Sequence, residues 1–185
     1  GVGWQREEYE ACGLDFDRRG ALLDRTLELC RALWTEPVVD YDDGELLYRR
    51  VHSMPKPLQP GGVPIWVSGR VHPRTVARVA RFGAGWIPWG EHISDPGPGI
   101  RAMREGLGAA GRDPDELQVQ GTLPLVRDGD GVDLAATVAA VPALADAGIT
   151  DFRVWHRWTA DPQADADLLA ALSAAFRVAA GREAP

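Results

Sequence analysis

Lysine is almost missing from this chain: Lys56 stands alone among 20 basic residues, and the rest are arginine. Those 20 face 27 acidic residues, for a net charge of −7. That deficit argues against a nucleic-acid surface, which needs clustered cations. Cysteine occurs only twice, at Cys12 and Cys30. Neither the close pairs of a zinc site nor those of a redox motif are present, so both are expected to be small buried thiols on helices. No apolar run approaches the roughly 18 residues of a membrane span, and no secretory signal pattern appears. The expected location is therefore the cytoplasm, with no membrane partner. Four histidines are scattered without ligand spacing, and no metal site is expected. Ser-His-Asp, P-loop and Gly-x-Gly-x-x-Gly patterns are also lacking, which disfavours acyl transfer, nucleotide hydrolysis and a Rossmann dehydrogenase.

What is present is clearest between Val63 and Trp86. Pro64, Ile65, Trp66 and Val67 form a short apolar run, as in a parallel strand covered on both faces. Ser68, Gly69 and Arg70 follow as a polar turn. Pro73 suits the first turn of a helix, Val76, Val79 and Ala80 recur at helical spacing, and Gly83 marks the stop. Ligands in parallel α/β folds sit where strands end and helices begin. Ser68, Gly69 and Arg70 are thus candidates to hold a phosphate: a hydroxyl, a close backbone approach and a charged donor. Thr75, in the next turn, can add a second hydroxyl. The plain alternative is an ordinary strand-to-helix turn.

Three more units follow. Strands are expected at 63–67, 85–89, 119–126 and 152–155, all adjacent and parallel. Helices are expected at 17–34, 73–82, 99–110, 133–147 and 165–179, and a remnant of an earlier strand at Gly1 to Gly3. The acidic run Asp40, Asp42, Asp43 and Glu45 reads as a solvated loop, and Asp17 as a helix cap.

The pattern from Pro64 through the helix ending in Ala80, Arg81, Phe82, Gly83, Ala84, Gly85 and Trp86 resembles the fifth βα unit of the bacterial luciferase-like flavin and deazaflavin (F420) oxidoreductases. Gly1 to Trp4, Arg6 to Tyr9, and Asp17 to Gly20 with the helix to Trp34 are similar to that family's loop and helix after strand four. Tyr48, Met54, Pro55, Lys56, Pro57 and Gln59 resemble the insertion before its fifth strand. The likeness is strongest over residues 1 to 90 and loose beyond about 115. It implies an α/β fold of the TIM (β/α)8 barrel type. Such a barrel usually needs roughly 250 residues, and this chain has 185. The expectation is the barrel's C-terminal half, from the end of strand four to helix eight, as one domain over 1–185 with an insertion at 38–60.

The resemblance further implies a flavin- or F420-dependent oxidoreductase or monooxygenase acting on a small organic substrate. The cofactor phosphate would lie at Ser68, Gly69, Arg70 and Thr75, and Gly3 would let backbone pass close to a flat ring. A composition rich in Ala, Arg and Gly favours F420 over FMN. A separate reductase and a homodimer of the full-length protein are the expected partners. The family's catalytic groups belong to strands one to four, so none is assigned here. Trp89, His92 and His156, at or just past strand ends, are the substrate-pocket candidates, against the alternatives of loop hydrogen bonding and packing. His72 is a helix-start residue or an added donor, and His52 is solvated. Two other readings remain: a non-catalytic flavin or F420 module, and a barrel enzyme acting on a sugar phosphate. Trp-rich strand ends argue against the second.

Overall fold

The computed structural model describes residues 1–129 and 131–182. They form two compact units, Gly1–Ile65 and the chain from Trp66 onward.

The first unit holds helix α1 (Arg6–Ala11), a 3-10 turn (Phe16–Arg18), helix α2 (Arg19–Thr35) and an antiparallel hairpin of β1 (Val39–Asp42) and β2 (Leu47–Val51). Phe16 anchors the entry to α2: the Arg19 guanidinium lies 3.9 Å from its ring centre and Tyr9 meets it edge-on. The sole lysine closes α2, since Lys56 Nζ donates to the carbonyls of Leu33 and Glu36, two groups the helix end leaves without a partner.

The second unit carries a four-stranded sheet in the order β3 (Ile65–Gly69), β4 (Gly83–Pro88), β5 (Gln118–Thr122) and β8 (Asp151–Arg153). β4 and β5 run parallel, as do β5 and β8. Between them lie α3 (Pro73–Phe82), α4 (Gly97–Ala109), a small antiparallel pair β6 (Arg127–Asp128) and β7 (Gly131–Val132), α5 (Leu134–Val138) and α6 (Val141–Asp146). Helix α7 (Pro162–Ala179) closes the unit. Val79, Trp86, Met103, Leu107 and Val119 are wholly buried between sheet and helices. Trp86 sits so close to α4 that a methyl group on Gly99 would stand 2.4 Å from its ring. α3 passes into β4 without a loop. Arg112 makes that possible, its Nη1 donating to the carbonyls of Val79, Ala80 and Gly83 at 3.0, 3.2 and 2.8 Å.

The strands stand where the hydrophobic runs place them, with shifted ends. β3 includes Ser68 and Gly69, so only Arg70 of the expected polar turn lies outside the strand. The helix expected over 133–147 is two helices, because Pro142 lacks the N–H of a continuous ladder and its ring crowds the preceding turn. Residues 1–3 belong to no strand. The acidic loop is the turn of the β1–β2 hairpin: Asp43 Oδ1 accepts from the backbone N–H groups of Glu45 and Leu46. Its acids are also paired, with Arg25 Nη1 at 3.2 Å from Asp43 and 2.9 Å from Glu45, and Arg18 Nη2 at 2.6 Å from Glu45. Bonding to the Leu46 N–H, ahead of other donors, holds the Asp43 carboxyl at about 2. Asp17 is no cap: Asp15 caps the 3-10 turn, and Asp17 accepts from Arg6. Nor are the cysteines buried, since Cys12 is exposed just past α1 and Cys30 is half-buried.

Candidate functional site

Ser68 and Gly69 end β3, Arg70 follows, and Thr75 in the first turn of α3 meets Gly69. A side chain on Gly69 would stand 3.3 Å from the Thr75 methyl, so strand and helix approach closely because residue 69 has none. Trp86 Nε1 donates to the Gly69 carbonyl at 2.9 Å and fixes the strand end. The Ser68 hydroxyl bonds to no described residue. His72 is the helix-start residue, its Nδ1 accepting from the Arg74 N–H at 3.2 Å. One amide of the α3 N-terminus is therefore taken. Arg70 is mostly in solvent, 3.9 Å from Glu91 Oε2, with its guanidinium 5.8 Å from the Trp89 ring centre. Gly90, at φ +69°, turns the chain back there, and a side chain on it would strike Arg70 Nε at 2.7 Å.

Glu91 links this junction to a cavity. His92 Nε2 lies 3.6 Å from Glu91 Oε1, and the His92 ring meets Trp86 edge-on. The Glu91 carboxyl is held below the usual range by its own backbone N–H and then by the nearby Arg70 charge. His92 lines a cavity of about 540 Å³ at the C-terminal ends of β4, β5 and β8. Its walls are chiefly aliphatic, from Ile87, Ile93, Leu144 and Ile149, while Thr122 and Arg153 supply polar groups. That volume lies within the range of about 300–1,000 Å³ typical of small-molecule sites. Trp89 is half-exposed and is not among the residues lining it.

His156 sits elsewhere, at the β8–α7 junction. Its Nε2 is 2.8 Å from Asp165 Oδ1, and both side chains are almost fully covered. The Thr159 N–H donates to the other Asp165 oxygen at 2.9 Å, Trp158 meets the imidazole edge-on, and His156 Nδ1 is buried without a partner. The bond from His156, ahead of those from Thr159, draws the Asp165 carboxyl below the ordinary carboxylate range. Gly3, in the first unit, has φ +72°, and the flat ring beside it is that of Tyr9, 3.2 Å from where a side chain would begin. Tyr9 in turn donates to the Val2 carbonyl.

Two residues escaped the reading of the sequence. Arg153 interrupts an otherwise apolar strand run, which is itself a signal of a polar face at a strand end. Asp165 lies in the first turn of α7 and is indistinguishable there from an ordinary helix-start acid. Among the described residues, no group of three His, Cys, Asp or Glu side chains is placed to hold a metal ion, and no helix is long and apolar enough to cross a membrane.

An uncharacterized protein of Mycobacterium tuberculosis is 32% identical over 115 residues, 61% of this chain and 39% of its own length. The matched stretch thus spans well under half of that relative. An F420-dependent secondary alcohol dehydrogenase, solved with an F420–acetone adduct, superposes with a TM-score of 0.66 over 86% of this chain and 62% of its own, at 15% identity. The monooxygenase RslO1 from Streptomyces bottropensis gives a TM-score of 0.57 over 97% and 49%, at 20% identity. At such identities the likeness concerns the fold. The model of the family described as luciferase-like monooxygenase matches residues 1–138, a stretch that takes in the hairpin, β3, the Ser68–Arg70 junction and β5. Sequence and sheet agree: the four-stranded parallel sheet is part of a barrel, and the chain belongs to the luciferase-like monooxygenase family.

Proposed function

We propose that this chain is the cofactor-phosphate end of an F420- or FMN-dependent oxidoreductase acting on a small organic substrate. The observation that carries it is the β3–α3 junction. A Ser68 hydroxyl without a partner among the described residues, a glycine in tight contact with Thr75, and a solvent-facing arginine follow one another at the C-terminal end of a strand. These donors fit a phosphate: none is spent on a close carboxylate, since Glu91 lies 3.9 Å from Arg70, beyond hydrogen-bond length. Ser68, Gly69, Arg70 and Thr75 would hold that group; Gly3 is proposed separately as a point where backbone passes close to a flat ring. When bound, such a cofactor supplies hydride transfer or oxygen chemistry at its ring, and the protein supplies orientation and a dry pocket.

Trp89, His92 and His156 are proposed as the surroundings of the substrate. For His156 the role is indirect, through the loop it fastens to Asp165. Support for the substrate side is the aliphatic cavity beside His92, which suits an organic molecule better than a sugar phosphate. F420 is preferred to FMN on the Ala-, Arg- and Gly-rich composition. A cytoplasmic location, a homodimer and a separate reductase belong to the same proposal, with 1–185 as one barrel domain carrying an insertion at 38–60. The test is fluorescence titration with F420, FMN and riboflavin. Binding of F420 or FMN well above riboflavin is the expected result; equal binding of FMN and riboflavin, or none of any, would remove the phosphate site.

A further inference from the structure

We infer that the cavity beside His92 takes a small aliphatic carboxylate, with Arg153 as its anion-binding group. Arg153 is the last residue of β8 and reaches the cavity alongside Thr122, the last residue of β5. Its Nη2 donates to Thr122 Oγ1 at 3.3 Å, and its guanidinium carbon lies over Trp155 at 4.7 Å from the ring centre. No other described residue bonds to its side chain. Its Nε is buried without a partner, and no carboxylate among the described residues pairs with it. The other arginines near a cavity differ: Arg25 lies between Asp43 and Glu45, and Arg18 is bound to Glu45.

A half-buried guanidinium beside aliphatic walls, with a buried Nε that has no partner among the described residues, is costly until an anion supplies the missing counter-charge. The walls decide what kind of anion. Arg153 is the sole arginine or lysine on the lining, so one negative charge matches it and a phosphate dianion does not. Ile87, Ile93, Leu144 and Ile149 offer dispersion contacts and few hydrogen bonds, which suits an alkyl chain. A carboxylate presents two coplanar oxygens that match the guanidinium fork. That the carboxylate is the substrate rests on the oxidoreductase reading above; that it binds does not.

The test is calorimetric titration of the protein with octanoate, octanamide and inorganic phosphate at pH 8. Octanoate should bind roughly tenfold or more tightly than octanamide, the difference a charged hydrogen bond makes, and phosphate should not displace it. Arg153→Met should bring the two within about twofold by weakening octanoate alone, whereas Arg153→Lys should keep part of the preference. Leu144→Trp, which fills the cavity from α6, should weaken both. The wild-type comparison requires no variant to fold. Equal binding of octanoate and octanamide, absence of octanoate binding, displacement by phosphate, or equal losses for both probes in Arg153→Met would overturn the inference. F420 and FMN titrated on the same samples separate the two proposals. Loss of cofactor binding with the octanoate preference intact removes the phosphate site alone, and the reverse removes the carboxylate site alone.

Discussion

At the β3–α3 junction an arginine stands in solvent and a serine hydroxyl has no partner among the described residues; at the β8–α7 junction a histidine and an aspartate are sealed together. Both follow the C-terminal end of a strand, and both carry residues that a reader of the sequence would nominate for a site. The difference is where their hydrogen bonds go. Asp165 spends both oxygens inside the protein, on His156 and on the Thr159 N–H, and so ties residues 156–159 to the first turn of α7. Arg70 has only a long contact to Glu91 and a distant ring below it. The β8–α7 junction spends its carboxylate internally and leaves only the imidazole Nδ1 over, whereas the β3–α3 junction keeps its side-chain donors turned to solvent.

Removing the fastening should have the largest effect. Asp165→Ala leaves a buried imidazole and a backbone N–H without an acceptor, a change of the kind that dominates the destabilising tail of single mutations. The expected result is a fall of several degrees in Tm, with cofactor affinity unchanged once the folded fraction is allowed for. A variant with unaltered Tm but weakened F420 or FMN binding would reverse the roles assigned to the two junctions.

Acid sharpens the same contrast. The Asp165 carboxyl titrates below its ordinary value in the folded chain, so it binds fewer protons there than when unfolded. Its contribution is complete above the ordinary carboxylate value of about 3.9 and is lost as pH falls through the lowered one. Asp43, at about 2, and Glu45, also lowered, act in the same direction in the first unit. These two lie on the hairpin near the surface, so screening weakens their share. Urea midpoints for wild type and Asp165→Ala should therefore differ at pH 7 and converge toward pH 3. A gap that stays constant over that range would mean that the aspartate's charge is not what fastens the loop.

Next in size is Arg70→Ala. A lost charged hydrogen bond should weaken F420 or FMN binding by roughly ten- to a hundredfold, with little change in Tm because the side chain is exposed. Riboflavin, which lacks the phosphate, should be indifferent. Equal weakening of FMN and riboflavin would make Arg70 a wall of the site and no anchor.

The helical period made α3 legible to the residue: Pro73 opens it, Val79 is buried, Val76 packs against Gly106 of α4, and Gly83 follows its end. β3 and β4 were legible for a similar reason, as largely apolar runs, whereas β5 and β8 each hold one large apolar residue, Val119 and Phe152, between polar ones. The β1–β2 hairpin was not. Its buried face rests on Val39 and the Tyr41–Tyr48 pair, while Asp40, Asp42, Arg49 and Arg50 occupy the wet positions and dominate the composition. Pro142 was overlooked because apolar spacing continued across it, although a missing N–H decides more than a pattern does. The site was legible only in part. Strand ends can be located from sequence, but whether a polar group there is paired depends on partners far along the chain. His92 beside Glu91, His156 with Asp165 and Arg153 with Thr122 differ in that respect alone.

The smallest effect expected at the open junction belongs to Ser68→Ala. Ser68 is the penultimate residue of β3 and its hydroxyl holds nothing in place, so alanine should leave Tm unchanged within error. If a phosphate lies there, the hydroxyl adds a neutral donor worth about 0.5–1.5 kcal/mol, or roughly two- to tenfold in F420 or FMN affinity. That is less than the loss at Arg70, because a neutral donor gains less from a charged acceptor than a cation does. Ranking is the decisive observation. Ser68→Ala weakening FMN more than Arg70→Ala does would place the phosphate deeper along β3, against the strand end that Trp86 fixes through the Gly69 carbonyl, and Arg70 would then guard the entrance.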